Sequence, residues 1–310
     1  TGSYILKGLE LASPFSWALA QRDLFGGNQY YGPGRVLCTV LVGNTGYNGI
    51  SALGNKPGTD GTVRISTANL NASYAEFRYD KDPLNPEMAL TRCNGLIAFG
   101  ISDGDDHGTI AGKRRGPKDF AKQAIVDALT VSDDGFDAWC ERLAQDTDSV
   151  TRGQVRRSGD HFDAYQNIVF FLEDQFGASI DDYVIEFYVG NASNTRRENS
   201  ATRRLQEDVI QNVHVYGDKP SYRSFLINCT QLSKLMDRPE ETLEISVTAS
   251  PEMKGDANVG FKSYTDEDIG AISLTTDQVR ETLQAHTTLL VRVRLWRYQS
   301  ENVFRFVPAP

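Results

Sequence analysis

Apolar and polar positions alternate along this chain in two different textures. In the first half, near-continuous apolar runs end in long polar loops. Val36–Val42 is such a run, and Leu96–Ile101 is another. Unbroken apolar strands of this kind suit the centre of a parallel sheet, where helices cover both faces. The pattern predicts strands over 36–42, 74–79 and 95–101, with a short extended segment over 62–66. Helical spacing recurs over 9–25, where Ser13 is placed to cap and Pro14 to open the main helix. It recurs at 117–129 (Phe120, Ala124, Ile125, Ala128) and at 133–145 (Phe136, Trp139, Cys140, Leu143). Residues 80–87 read as a polar, proline-containing turn.

Beyond a polar, arginine-bearing stretch at 146–162 the texture changes to short runs of period two. These are Asn167–Leu172, Tyr183–Val189, Val209–Tyr216, Ser224–Asn228, Leu243–Ala249, Leu289–Trp296 and Val303–Val307. In the last strand before the terminal stretch, Val291, Val293 and Leu295 share one face and Arg292, Arg294 and Trp296 the other. Thr276–Ala285 is a candidate helix or turn. Short alternating strands with turn-rich links predict an all-β, sandwich-like C-terminal domain. The division expected is therefore an α/β part over 1–150 and a β-rich accessory domain over 160–310.

Two loops carry candidate chemistry. Gly58-Thr-Asp-Gly61 places Asp60 on a glycine-flanked turn beyond the first apolar strand. Asp103-Gly-Asp-Asp-His107 follows the second, and carries one histidine 47 residues after Asp60. A carboxylate held at the rim of a sheet can orient an imidazole and stabilise its protonated form. Strand then acid loop, strand then histidine loop, is the second half of the Ser, Asp, His order found in α/β-hydrolases.

On Asp60–Leu70 and Asp106–Ile110, the first 145 residues resemble the acid and histidine loops of α/β-hydrolase lipases and esterases. Leu11–Phe25 is similar to a helical stretch that often precedes them. The resemblance implies Asp60 as the orienting acid, His107 as the general base and a lipid or small-molecule ester as substrate. It carries contact with a membrane surface as a further expectation. No Gly-x-Ser-x-Gly elbow precedes Asp60, so the serine is expected upstream of residue 1, and this chain alone is expected to be inactive. Gly100-Ile-Ser-Asp-Gly104 has the elbow's spelling, but no amphipathic helix follows it directly, and chance is the preferred source of that match. The alternative function is a noncatalytic ligand- or surface-binding protein with a β-sandwich module.

Charge and composition narrow the partners. A net charge of −9 argues against nucleic acid, whose phosphates need a basic surface. Four cysteines, Cys38, Cys93, Cys140 and Cys229, form no C-x-x-C or zinc pattern. Asp103, Asp105 and Asp106 lack the alternation of a calcium loop and read as a solvated acidic loop. No metal and no cofactor is expected. His161, His214 and His286 lack a nucleophile pattern nearby. Arg196, Arg197, Arg203 and Arg204 form a basic patch read as a solvated surface.

Overall fold

A computed structural model describes residues 2–79, 83–84, 86–113, 115–153, 162–191, 199–249 and 269–296. Val303–Val307, His161, Arg196 and Arg197 lie outside the described residues. In chain order the elements are α1 (Gly2–Leu9), α2 (Pro14–Asp23), β1 (Cys38–Gly43), α3 (Ile65–Ala68), β2 (Ser73–Arg78), β3 (Glu87–Arg92), β4 (Ile97–Ser102), α4 (His107–Ile110), α5 (Asp119–Thr130) and α6 (Phe136–Thr151). There follow β5 (Tyr165–Asp174), β6 (Tyr183–Asn191), α7 (Ser200–Arg204), β7 (Ile210–Val215), β8 (Tyr222–Asn228), α8 (Cys229–Leu235), β9 (Glu241–Ala249), β10 (Ile272–Thr275), α9 (Thr276–Thr282) and β11 (Thr288–Leu295).

The two long apolar runs pair with each other. β1 and β4 lie parallel, in register from Cys38 with Ile97 to Gly43 with Ser102. Every residue of β4 is buried. Ala98 packs with Phe136, Trp139 and Leu143 of α6, while Phe99 and Ile101 pack with Val42, Ile65 and Val150. Successive strand residues thus feed two different apolar layers, as a period of two requires. The Trp139 indole also donates to Thr39 Oγ1 at 3.0 Å, which ties α6 to β1.

Ser13 caps α2 as its sequence suggests. Its hydroxyl accepts from the Phe15 amide at 3.2 Å, and Pro14 opens the helix. The helix expected over 9–25 is the shorter α2, and residues 2–9 form a separate helix, α1, with Ala12 at a φ of 60° between the two. The expected extended segment at 62–66 is a correction too. Residues 59–64 close on themselves through a Thr59–Arg64 bridge, and Ile65 then starts the one-turn helix α3.

The largest sheet has six strands in the order β3-β2-β11-β5-β8-β7. Its centre is parallel, with β11 between β2 and β5, and its outer pairs are antiparallel. Strands from both sides of residues 146–162 therefore share one sheet. The later half also contains α7, α8 and α9, so it is mixed rather than all-β. One face of the six-stranded sheet packs on the three-stranded sheet β10-β9-β6 through Phe170, Leu172, Phe187, Phe225, Val247 and Val293. The other face carries Val169, Phe171 and Leu290 against Trp17 of α2. On that same face Arg294 donates to the buried Glu173 at 3.0 Å, and Arg292 approaches it at 3.6 Å. Paired charges are what allow a carboxylate inside a sheet.

His286 joins the α6 end to the start of β11. It holds a left-handed backbone (φ 61°), stacks on Phe162 at 5.4 Å and pairs through Nε2 with Thr151 Oγ1 at 2.9 Å. Burial lowers its pKa from 6.5 to about 4, because the interior disfavours the cation. A lowered pKa contributes stability that is present above pH 6.5 and lost as pH falls towards 4. We expect urea unfolding to report a loss of about 3 kcal/mol across that window, and His286→Asn, which tolerates the same φ, to remove the slope. An unchanged slope in the variant would assign the acid sensitivity elsewhere.

Candidate active site

Both candidate loops leave the carboxyl ends of the parallel pair β1 and β4. In open α/β sheets that edge is where ligands bind. Gly43, the last residue of β1, lies against the Asp105 carbonyl, and an added Cβ there would come within 2.1 Å of that oxygen. A side chain at Gly43 would push the two loops apart. The Thr45 amide donates to the same carbonyl at 3.0 Å.

The Asp60 turn is built on two glycines with positive φ, Gly58 at 66° and Gly61 at 97°. Each also backs onto a ring: a Cβ would lie 2.6 Å from Tyr165 at the first and 2.8 Å from Tyr47 at the second. Conformation and space both demand glycine here. The turn aims Asp60 inward, where it is 2% exposed. Its Oδ1 accepts from the amides of Thr62 at 3.1 Å and Val63 at 2.8 Å. Its Oδ2 faces His107 Nδ1 at 3.0 Å. The Asp60 carbonyl accepts from the His107 amide at 2.8 Å, so backbone and side chain both lock the pair.

Asp106 sets the histidine. It caps α4, accepting from the Gly108 and Thr109 amides at 2.8 Å, while Thr109 Oγ1 accepts from the Asp106 amide. This capping box fixes His107 at the first helical position. A carboxylate can only accept, so Nδ1 carries the proton and Nε2 is left with its lone pair. The imidazole side chain is 43% exposed, and no described residue bonds Nε2. The pair thus presents a base to solvent with an acid locked behind it.

The neighbouring polar groups have other tasks. Ser102, at the end of β4, is fully buried and donates to Asp105 Oδ2 at 2.6 Å. Asp105 also accepts from the Lys118 amide. Gly100 leaves room for Leu41 and Leu143, and Gly104 takes a φ of 80°. The elbow-like spelling around Ser102 therefore reflects packing and a turn. Asp103 accepts from Asn44 at 2.8 Å. The three aspartates serve three different protein partners. Among the described residues no group of three His, Cys, Asp or Glu side chains could hold a metal ion. His214 pairs with Glu10 at 2.9 Å, not with Asp208 or Asp218.

The loop between Gly43 and Asp60 is braced against the Asp60 turn. Asn55 exchanges two hydrogen bonds with the Tyr47 backbone, both at 2.9 Å, and Tyr47 Oη pairs with Thr62 Oγ1 at 2.8 Å. A short 3-10 turn at Gly49–Gly54 holds Ile50 and Leu53 outward, each 91% exposed. On the other side of the Asp60 turn, Thr62 and Val63 form part of the wall of a cavity of about 670 Å³. Sequence reasoning missed this cavity, because its walls come from α2, α3, β5 and β11, which are distant along the chain.

No protein-family model and no curated protein matches this sequence significantly. The fold has solved counterparts. Phospholipase PlaB from Legionella pneumophila superposes with a TM-score of 0.78 at 20% identity, over 98% of this chain and 65% of that one. The same phospholipase in complex with thio-NAD gives 0.73 at 19% identity, over 98% and 66%. The chain therefore spans slightly less than two thirds of PlaB, and its mixed α/β architecture is similar to that of this part of PlaB.

Proposed function

We propose that this chain provides the acid and base of a carboxylic ester hydrolase of lipase type, with an α/β-hydrolase-like core. The observation that carries the reading is the buried Asp60 carboxylate 3.0 Å from Nδ1 of a half-exposed His107. The nucleophilic serine comes from a segment outside these 310 residues. The edge of β1 supports this: among the described residues β4 is its only partner strand, and Thr39, Val40 and Leu41 are only half-buried. A parallel strand added at that edge ends beside the Asp60 and His107 loops.

In the reaction, Nε2 of His107 takes the serine proton as Oγ attacks the ester carbonyl. Asp60 holds the tautomer and stabilises the imidazolium without becoming protonated itself. Collapse of the tetrahedral adduct expels the alcohol, which leaves with the proton from Nε2. Water, deprotonated by the same nitrogen, then releases the acid and regenerates the serine. A lipid substrate is supported by the exposed apolar Ile50 and Leu53 on the loop that leads into the Asp60 turn. Their position also supports contact with a lipid surface.

Fluorophosphonate labelling of a protein carrying the nucleophile-bearing segment tests this. The expected result is one labelled serine outside residues 1–310, lost in His107→Ala. Labelling that persists in that variant, or no labelled serine, would favour the noncatalytic binding reading.

A further inference from the structure

The cavity beside the Asp60 turn has the anatomy of an amphiphile site. Its floor is apolar, with Trp17, Leu24, Leu70, Val169 and Leu290 in the wall. Its volume, about 670 Å³, falls within the roughly 300–1,000 Å³ of small-molecule sites, which pair such a lining with few polar groups. The charges in the wall divide cleanly. Glu10 is engaged by His214, and Asp23 by Arg22 at 2.6 Å. Arg64 is different: among the described residues its guanidinium makes one hydrogen bond, from Nη1 to the Pro57 carbonyl at 3.3 Å, and no described carboxylate lies within ion-pair reach.

An unpaired guanidinium in a half-buried setting lacks the counter-ion such groups usually acquire. Desolvation pushes its pKa below the ordinary arginine value. An anionic group entering the cavity would supply the missing partner through charge-assisted hydrogen bonds. The site begins at Thr62 and Val63, the two residues whose amides hold the Asp60 carboxylate. A ligand anchored there lies next to the acid and base.

We propose that this cavity binds a single-chain amphiphile bearing an anionic group, with the chain over Trp17 and Leu290 and the anion on Arg64. This deepens the hydrolase reading by naming a substrate or product class, and it rests on that reading only for its catalytic meaning. A carboxylate (a released fatty acid) and a phosphate (a lysophospholipid-like headgroup) share the required chemistry.

The test is direct binding to the 310-residue chain, with no hydrolysis required. Bromine quenches a tryptophan that it touches, and Trp17 lines the cavity. Titration with 12-bromododecanoate, 12-bromododecyl phosphate and 12-bromododecanol, each kept below its micelle concentration, should give saturable quenching that Trp17→Phe abolishes. Arg64→Gln should weaken the two anions about ten-fold, the worth of one charge-assisted hydrogen bond, and leave the alcohol unchanged. The tighter anion identifies the source. Thr67→Trp, at an exposed wall position, should block all three without touching the core. Quenching that does not depend on Trp17, or equal losses for alcohol and anions in Arg64→Gln, would overturn the site. Either result leaves the fluorophosphonate test standing, since labelling of the serine does not depend on this cavity.

Discussion

In a protein supplied with its nucleophile, His107→Ala should lower kcat for a short-chain ester roughly a million-fold, and Asp60→Asn roughly 10⁴-fold. The two numbers differ for a geometric reason. In the proposed mechanism, removing the imidazole removes the group that takes the serine proton. Replacing Asp60 by Asn keeps Oδ1 as acceptor for the Thr62 and Val63 amides, so the turn survives. The new amide now faces Nδ1 as a donor. It forces the ring to present its lone pair there and to carry its hydrogen on Nε2, which is the wrong tautomer for a base. Both variants should fold: His107 is partly exposed, and its ring makes a single bond. Steady-state kinetics with near-ultraviolet circular dichroism on the same samples checks this. Rates within ten-fold of the parent, in folded protein, would remove the pair from the chemistry.

The Asp60–His107 pair was legible in the sequence because each of its two loops is marked locally. An apolar run followed by a loop that ends in a glycine-bracketed aspartate, and another followed closely by a capped histidine, announce strand ends without any knowledge of the fold. Ser13 and Pro14 were legible for the same reason, since a cap acts within one turn of helix. What could not be read is which strands neighbour one another. Alternation in Val291-Arg-Val-Arg-Leu295 identifies two faces, yet nothing in it says that β11 inserts between β2 and β5. Only Glu87 of β3 falls in the turn expected over 80–87, and the sequence predicts no element for the rest of it, because β3 is an edge strand with mostly exposed side chains. A boundary placed at a polar stretch is sound when each side closes its own core. Here β2 from one side and β5 and β11 from the other share one sheet.

Phe170→Ala measures how far that sharing extends. The side chain is fully buried on β5 and meets Phe187 of β6 at 6.3 Å and Phe225 of β8 at 5.5 Å, both edge to face. It therefore joins the six-stranded sheet to the three-stranded one. Its loss removes apolar burial, leaves a cavity and breaks two aromatic contacts, at a cost of about 3–5 kcal/mol. That is a large fraction of the roughly 5–15 kcal/mol by which folded proteins exceed their unfolded states. Urea unfolding followed in single-tryptophan variants separates the regions. Trp17 reports the back of the six-stranded sheet, and Trp139 reports the β1–β4 layer through its bond to Thr39. Because β2 belongs to the same sheet as β5, the destabilisation should shift both transitions by the same free energy, as one cooperative unit requires. If the Trp139 transition held its midpoint while Trp17 moved, the parallel pair carrying Asp60 and His107 would be an independently folding body, and the loops bearing that pair would not draw their rigidity from the large sheet.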